Sequence, residues 1–255
     1  MQQSNNTILI TGGGSGIGRA LAEAFHRLGN KVIIAGRRQS VLDETTAANP
    51  GMQSLTLDIE DAGDLQRFVA EVKSQFPALN VLINNAGVMK PEKLQSGAEA
   101  LPTAESTIAI NLLGPLRLTA ALLPVLQAQP HSTIMTVTSG LAFVPMAMTP
   151  TYCATKAALH SWTQSLRLQL RGTAVEVLEL APPYVQTELM GSHQASDPNA
   201  MPLAEYISET MGLLAHPPAS GESLVGRVLP LRFAEKNGNY EQVFDRLNPL
   251  ANAQE

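Results

Sequence analysis

The feature that most constrains this chain is an abrupt change of period near its start. Thr7 to Thr11 is a short run rich in β-branched and apolar residues, and it breaks into Gly12-Gly13-Gly14-Ser15-Gly16-Ile17-Gly18. Apolar residues then recur at 17, 20, 21, 24, 25 and 28, which is one face of a helix. A glycine cluster is often only a turn, but strand, glycine turn and helix in this order make it a candidate phosphate cradle. Gly12 permits the tight turn, Gly16 lets the backbone approach a pyrophosphate, and Gly18 lets the helix pack closely on the strand. With Gly14, Ser15 and Ile17 completing the turn, the N–H groups at the helix start face an anion.

The pattern repeats. Lys31 to Ala35 reads as a second strand and ends in Gly36-Arg37-Arg38. An acid at this strand end binds a ribose 2′-hydroxyl, whereas arginine accommodates a 2′-phosphate. No acid stands at 36, 37 or 38, so the sequence predicts NADP(H) rather than NAD, with Arg37 as the discriminator and Arg38 beside it. Met52 to Leu57 is a third strand ending at Asp58-Ile59, where Asp58 either meets an adenine amino group or caps the next helix. Leu79 to Ile83 is a fourth, apolar throughout, and it stops at Asn84-Asn85-Ala86-Gly87, small and amide residues suited to a cofactor floor. Strands alternating with helical patterns predict an α/β fold, a single doubly wound parallel sheet of six to seven strands with helices on both faces.

The second half carries the chemistry. Residues 103 to 128 form a long helical pattern interrupted by Asn111, Gly114, Pro115 and Pro124, and the bend could turn Asn111 towards a water or merely towards solvent. Ser132 to Thr138 is a fifth strand ending at Ser139, followed by the apolar loop Gly140 to Pro150. Thr151 to Arg171 is a helix with Tyr152 and Lys156 one turn apart on the same face. Such a pair can be an ordinary surface pair. Beside a fixed ammonium, however, a phenol has its phenolate favoured, so the spacing predicts a lowered Tyr152 pKa and a general acid or base, with Ser139 as a second hydroxyl. Thr173 to Leu180 is a sixth strand, left by the turn Ala181-Pro182-Pro183-Tyr184-Val185-Gln186-Thr187. Residues 188 to about 220, with three methionines and little regular period, read as a lid. Leu141, Phe143, Val144, Met146, Met148, Tyr184, Leu189 and Met190 are the expected apolar lining.

Length and composition suit one domain over 1–255: 255 residues, 44% hydrophobic and 15% charged, with no uninterrupted apolar run long enough to span a bilayer. The polar start, Met1 to Asn6, has no apolar signal segment. One cysteine, Cys153, excludes an internal disulfide, and five histidines show no ligand spacing, so no metal is expected. Net charge is −5 without a basic stripe, which argues against nucleic acid. The expectation is a cytoplasmic protein without a membrane partner.

Taken together, Thr11-Gly12 through Gly18, Asn84 to Gly87, Asn111, Ser139, Tyr152 with Lys156, and Pro183 to Thr187 resemble the short-chain dehydrogenase/reductase family over nearly the whole chain. The stretches Ser139 to Arg171 and Leu178 to Leu189 look closest to bacterial DltE-like oxidoreductases. The resemblance implies a Rossmann-type domain and hydride transfer between a nicotinamide and a carbonyl or alcohol carbon. It implies that Tyr152 is the acid, that Lys156 tunes it and holds the nicotinamide ribose, that Ser139 orients the carbonyl, and that Asn111 positions a water. It further implies cofactor contacts from the glycine turn, Asp58, Ile59, Asn85, Ala86, Gly87, Pro182, Val185 and Thr187, the last two at the carboxamide. Two departures stand out: Pro182-Pro183 replaces the family's Pro-Gly, and the usual last strand with its Asp-Gly-Gly ending is missing. The latter favours a homodimer, through the helices starting near 103 and 152, over a tetramer. The competing class is a cofactor-binding sensor that lost turnover, whose mark would be a broken Ser, Tyr or Lys; none is broken here.

Overall fold

The strand and helix alternation closes into one parallel sheet, seen in a computed structural model that describes residues 2–249. Its strands are β1 (Thr7–Thr11), β2 (Lys31–Gly36), β3 (Gln53–Thr56), β4 (Val81–Asn84), β5 (Ser132–Val137), β6 (Val175–Leu180) and β7 (Glu222–Ser223). Their order is β3-β2-β1-β4-β5-β6-β7, so the direction of winding switches between β1 and β4. Ile8, Leu9 and Ile10 are wholly buried, with β2 in register on one side of β1 and β4 on the other. A crevice at the carboxyl ends of strands flanking such a switch is where open α/β sheets bind ligands.

The helices are α1 (Gly16–Arg27), α2 (Gln39–Ala48), α3 (Ala62–Gln75), α4 (Leu101–Ile108), α5 (Gly114–Gln127), α6 (Pro150–Gln169), α7 (Ser192–Ala195), α8 (Leu203–Ala215), α9 (Leu229–Arg232) and α10 (Tyr240–Leu247). Each sheet face is covered. Leu21 and Phe25 of α1 pack with Tyr206, Ile207 and Leu214 of α8 over Ile8, Ile10, Ile83 and Met135. Phe68 and Val72 of α3 pack with Leu118, Leu122 and Leu126 of α5 over Leu9, Leu82 and Ile134. The apolar stripe of each helix fixes which face it covers.

One expectation is refined and two are corrected. The disturbance in the 103–128 helix is one turn of π-helix, Ala109–Leu113, between α4 and α5, and a Cβ on Gly114 would lie 2.6 Å from the Ile59 side chain. Residues 188–220 are not irregular throughout, because α8, Leu203–Ala215, is a core helix against α1 that buries Tyr206, Ile207, Thr210 and Leu214. A last strand exists: Glu222 and Ser223 pair with Glu179 and Leu180, then the chain leaves in a 3-10 turn at Gly226–Val228. In addition, Leu94–Gln127 as one helical run contains an 18-residue stretch of mean hydropathy 1.6, which is long and apolar enough to cross a membrane by length and composition only. Scattered polar residues hide that run in the sequence; its Leu118, Leu122 and Leu126 are fully buried against the sheet.

Candidate active site

A groove opens at the switch. It is lined by Gly12, Gly14 and Ser15 of the glycine turn, by Arg37 and Arg38 after β2, by Asp58 and Ile59 after β3, and by Ala86, Gly87 and Val88 after β4. Gly12 takes φ +67, and a Cβ on Gly18 would stand 2.2 Å from the Gly12 carbonyl oxygen, so glycine is needed for α1 to approach β1. Ser15 is the N-cap of α1 but makes no capping side-chain bond, and the first turn holds no acid. The free N–H groups of that turn suit a phosphate. Arg37 and Arg38 are exposed and make no ion pair among the described residues, so both guanidinium groups are available to the groove.

One sequence alternative closes here. Asp61, not Asp58, caps α3, accepting from the N–H groups of Gly63 and Asp64. Asp58 is held by a local turn, its Oδ1 accepting from Glu60 N–H, and faces the groove. Asn85 Nδ2 donates to the carbonyls of Thr11 and Gly12, so its side chain clamps the glycine turn. Ile17 packs into the core, and Gly16 lies against Thr187, 3.5 Å from that side chain at its Cβ position.

Beyond Gly87 the groove reaches the polar group. A Cβ on Gly87 would be 3.4 Å from Asn111 Oδ1 and 3.7 Å from Lys156 Nζ, so these three converge. Asn111 sits in the π turn and is wholly buried; its amide accepts from Val88 N–H and donates to Val88 C=O, both at 2.8 Å. That side chain is therefore a brace for the loop after β4. Lys156 Nζ donates to Val137 C=O at 2.9 Å and lies 5.6 Å from the centre of the Tyr152 ring. Ser139, at the end of β5, is extended, and its Oγ accepts from Leu141 N–H.

The lowered phenol predicted from the Tyr152 and Lys156 spacing is not what the fold produces. Burial pushes Tyr152 up to about 12, and the neighbouring Ser139 hydroxyl pulls it back only in part. Burial also pushes Lys156 down to about 8. Desolvation opposes the charged form of both groups and is the largest influence on each. Tyr152 is thus a held proton at neutral pH.

Around Tyr152 the wall is apolar: Met89, Leu141, Met146, Met190 and Cys153 pack with it. Met89 was not foreseen. Phe143 and Val144 leave the lining, since Phe143 packs edge-on against His160 and Val144 is buried with Ala234 and Val243. Met148, Tyr184 and Leu189 are exposed, and the Tyr184 hydroxyl donates to Asp197.

Two positioning groups also escaped the sequence reading. Glu92, 59 residues away, accepts from the N–H and hydroxyl of Thr151 and so caps the start of α6, beside Tyr152. Gln194 is buried; its Nε2 donates to Val185 C=O at 2.8 Å and Thr187 Oγ1 at 3.1 Å, while its Oε1 accepts from Met190 N–H. The 188–201 segment is thereby fastened to the turn after β6, where Pro182 C=O also accepts from Gly140 N–H. A parallel bridge between Val185 and Met201 adds to this fastening.

Residues 6–198 match the model of the family described as short chain dehydrogenase. The chain is 39% identical over 255 residues, 99% of its length and all of the relative's, to an uncharacterized oxidoreductase, DltE, of Bacillus subtilis (strain 168). A short-chain dehydrogenase from Sphingobium yanoikuyae in complex with NADPH is 25% identical, with TM-score 0.79 over 94% of this chain and 95% of its own. A short chain dehydrogenase/reductase from Burkholderia phymatum in complex with NAD, 21% identical, shares the fold with TM-score 0.81 over 98% of each chain.

Proposed function

The chain belongs to the short chain dehydrogenase family, a family of oxidoreductases, and from that premise we propose that it is an NADP-dependent enzyme interconverting a carbonyl and an alcohol on an apolar small molecule. One observation carries this reading: a buried, proton-holding Tyr152 with Ser139 and Lys156 adjoins a groove whose far end presents Arg37 and Arg38, free of ion pairs among the described residues. The NADPH found with the Sphingobium relative supports the same choice of cofactor.

The residues present fit that cofactor. The uncapped start of α1 would receive the pyrophosphate, Arg37 and Arg38 the 2′-phosphate, and Asp58 the adenine side. Thr187 and the main chain at Val185 would hold the carboxamide. When bound, NADPH supplies the hydride. The chain supplies the rest. Tyr152, protonated because it is buried, gives its proton to the substrate oxygen as negative charge develops there, and Ser139 donates a second hydrogen bond to that oxygen. Lys156 opposes the charge left on the phenol. Met89, Leu141, Met146 and Met190 exclude water from the reacting carbon and offer nothing to a charged substrate. We assign the reaction to the cytoplasm. For the homodimer we assign the faces of α4 and α6, with Leu101 and Ile108 exposed on α4 and Leu168 on α6.

The test is oxidation of NADPH and of NADH with a panel of apolar ketones, aldehydes and quinones, in wild type, Tyr152→Phe and Arg37→Ala. The expected result is preference for NADPH, loss of about 10²–10⁴-fold in kcat in Tyr152→Phe with cofactor binding kept, and loss of that preference in Arg37→Ala. Preference for NADH, or unchanged turnover in Tyr152→Phe, overturns the reading. NADPH binding without turnover of any panel member favours the sensor reading instead.

A further inference from the structure

The last helix of the described chain, α10, lies beyond the family-matched residues 6–198 and touches none of the cofactor groove. Its apolar face meets the loop that follows Ser139: Val243, Phe244 and Leu247 pack with Val144, Ala234 and Leu231. At its end stands Asn248, which is 6% exposed. Asn248 Oδ1 accepts from Ala147 N–H at 2.6 Å, and Nδ2 donates to Pro145 C=O at 3.2 Å and to Phe244 C=O at 2.9 Å. One amide therefore holds the peptide groups on both sides of Met146, across about a hundred residues of sequence.

Met146 is held from the opposite side as well. Its N–H donates to Cys153 Sγ at 3.3 Å, and its C=O accepts from Thr149 N–H at 3.0 Å, both at the start of α6. The Met146 side chain packs with Met89, Leu141, Met190 and Tyr152. The loop has little regular structure of its own beyond the 3-10 turn Gly140–Ala142, so these hydrogen bonds decide where Met146 stands.

We propose that Asn248 is a positioning residue that fixes Met146 as the wall of the substrate space beside Tyr152, and thereby sets the size of the carbonyl compound admitted. This rests on the function proposed above. The amide is suited to the task because it needs both an acceptor and two donors at once, which neither aspartate nor an apolar isostere offers. An unbranched, adaptable side chain such as methionine fills whatever space its main chain leaves it, so a shift of the loop translates into a change of pocket size.

The single cysteine gives a readout that does not depend on turnover. Cys153 is buried under the Met146 peptide, so release of the loop exposes it to a thiol-labelling reagent. In Asn248→Ala, labelling of Cys153 is expected to accelerate about tenfold, as loss of a hydrogen bond of about 1.4 kcal/mol implies. NADPH affinity, measured by fluorescence titration, stays unchanged. Along a series of unbranched 2-ketones of increasing length, KM is expected to rise for the short members and fall for the long ones, with kcat nearly constant. Met146→Ala gives the same shift in substrate length, and the double variant adds nothing to it. Asn248→Asp, which keeps the acceptor for Ala147 and loses both donors, gives an intermediate labelling rate should the alanine variant fold poorly. Unchanged labelling, or a uniform loss across all ketones together with weakened NADPH binding, overturns the inference. Failure of the wild type on every ketone falls on the proposed function alone, since the labelling comparison stands without it.

Discussion

Lys156 Nζ donates to the main-chain oxygen of Val137 at 2.9 Å, so the buried ammonium is bonded to the last residue of β5. Its pKa is pushed down to about 8 by burial, and that of Tyr152 up to about 12.

Opposite pH dependences of stability follow from these two groups. Lys156 binds its proton more weakly folded than unfolded, so stability rises with pH between about 8 and the unfolded value of 10.5. By about 1.36 kcal/mol per unit the gain is on the order of 3 kcal/mol. Tyr152 binds its proton more tightly folded, so its contribution is fully present below 10 and is lost as pH rises towards 12. Urea unfolding of wild type and Lys156→Met at about pH 8 and about pH 9.5, inside that window, checks the sign. The gain should disappear in Lys156→Met, and a wild type that loses stability over this interval contradicts the assignment.

Gln194 joins the segment after the Pro182 turn to the turn itself by three hydrogen bonds from one buried amide. Gln194→Ala leaves the Val185 carbonyl and the Met190 N–H without that partner, at a cost of about 1–3 kcal/mol. The expected outcome is a lower Tm and a raised KM for NADPH, because Thr187 loses the donor that orients its hydroxyl. Gln194→Glu, which keeps the acceptor for Met190 but not the donor, should show the KM effect with a carboxylate against the Val185 carbonyl. A KM for NADPH equal to wild type in both variants removes Gln194 from any part in cofactor binding.

Two glycines on neighbouring helices should respond in opposite directions. Gly18→Ala forces a Cβ to 2.2 Å from the Gly12 carbonyl, a main-chain contact that neither α1 nor β1 can relieve by a side-chain rotation. Loss of NADPH binding and a marked fall in Tm are expected. Gly212, within α8, has nothing within 4 Å of a new Cβ, and Gly212→Ala should stabilise by about 0.5–1 kcal/mol through helix propensity. Calorimetry of the two variants decides both claims.

Most of the sheet was legible because its first six strands and the helices α1, α3 and α6 carried their own period, and because Gly12, Arg37 and Asp58 follow strand ends that only a parallel sheet brings to one edge. The helix α8 was legible in principle, as Tyr206, Ile207, Thr210 and Leu214 keep a helical spacing; the prolines and methionines around it drew attention away. A two-residue β7 has no pattern to read. The site divided along a similar line. Spacing located Ser139, Tyr152 and Lys156 but carried no information on burial, which reversed the expected pKa direction of the phenol. Glu92, Gln194 and Asn248 hold main-chain groups or helix ends far away, and such partners have no sequence spacing at all. Phe143 and Val144 show the converse: in an apolar loop, sequence cannot tell a pocket wall from a core residue.

The groove takes one wall from Gly12, Arg37 and Asp58 and the other from Ala86, Gly87 and Val88, on strands that become neighbours only once β4 has settled beside β1. A molecule lying between these walls is released whenever either half of the sheet opens. Binding at a hundred times Kd therefore opposes such opening by about 2.7 kcal/mol, and proteases that cut the transiently opened chain meet it about a hundredfold less often. The lifetime of the polypeptide is thus expected to follow the supply of any dinucleotide that occupies the groove.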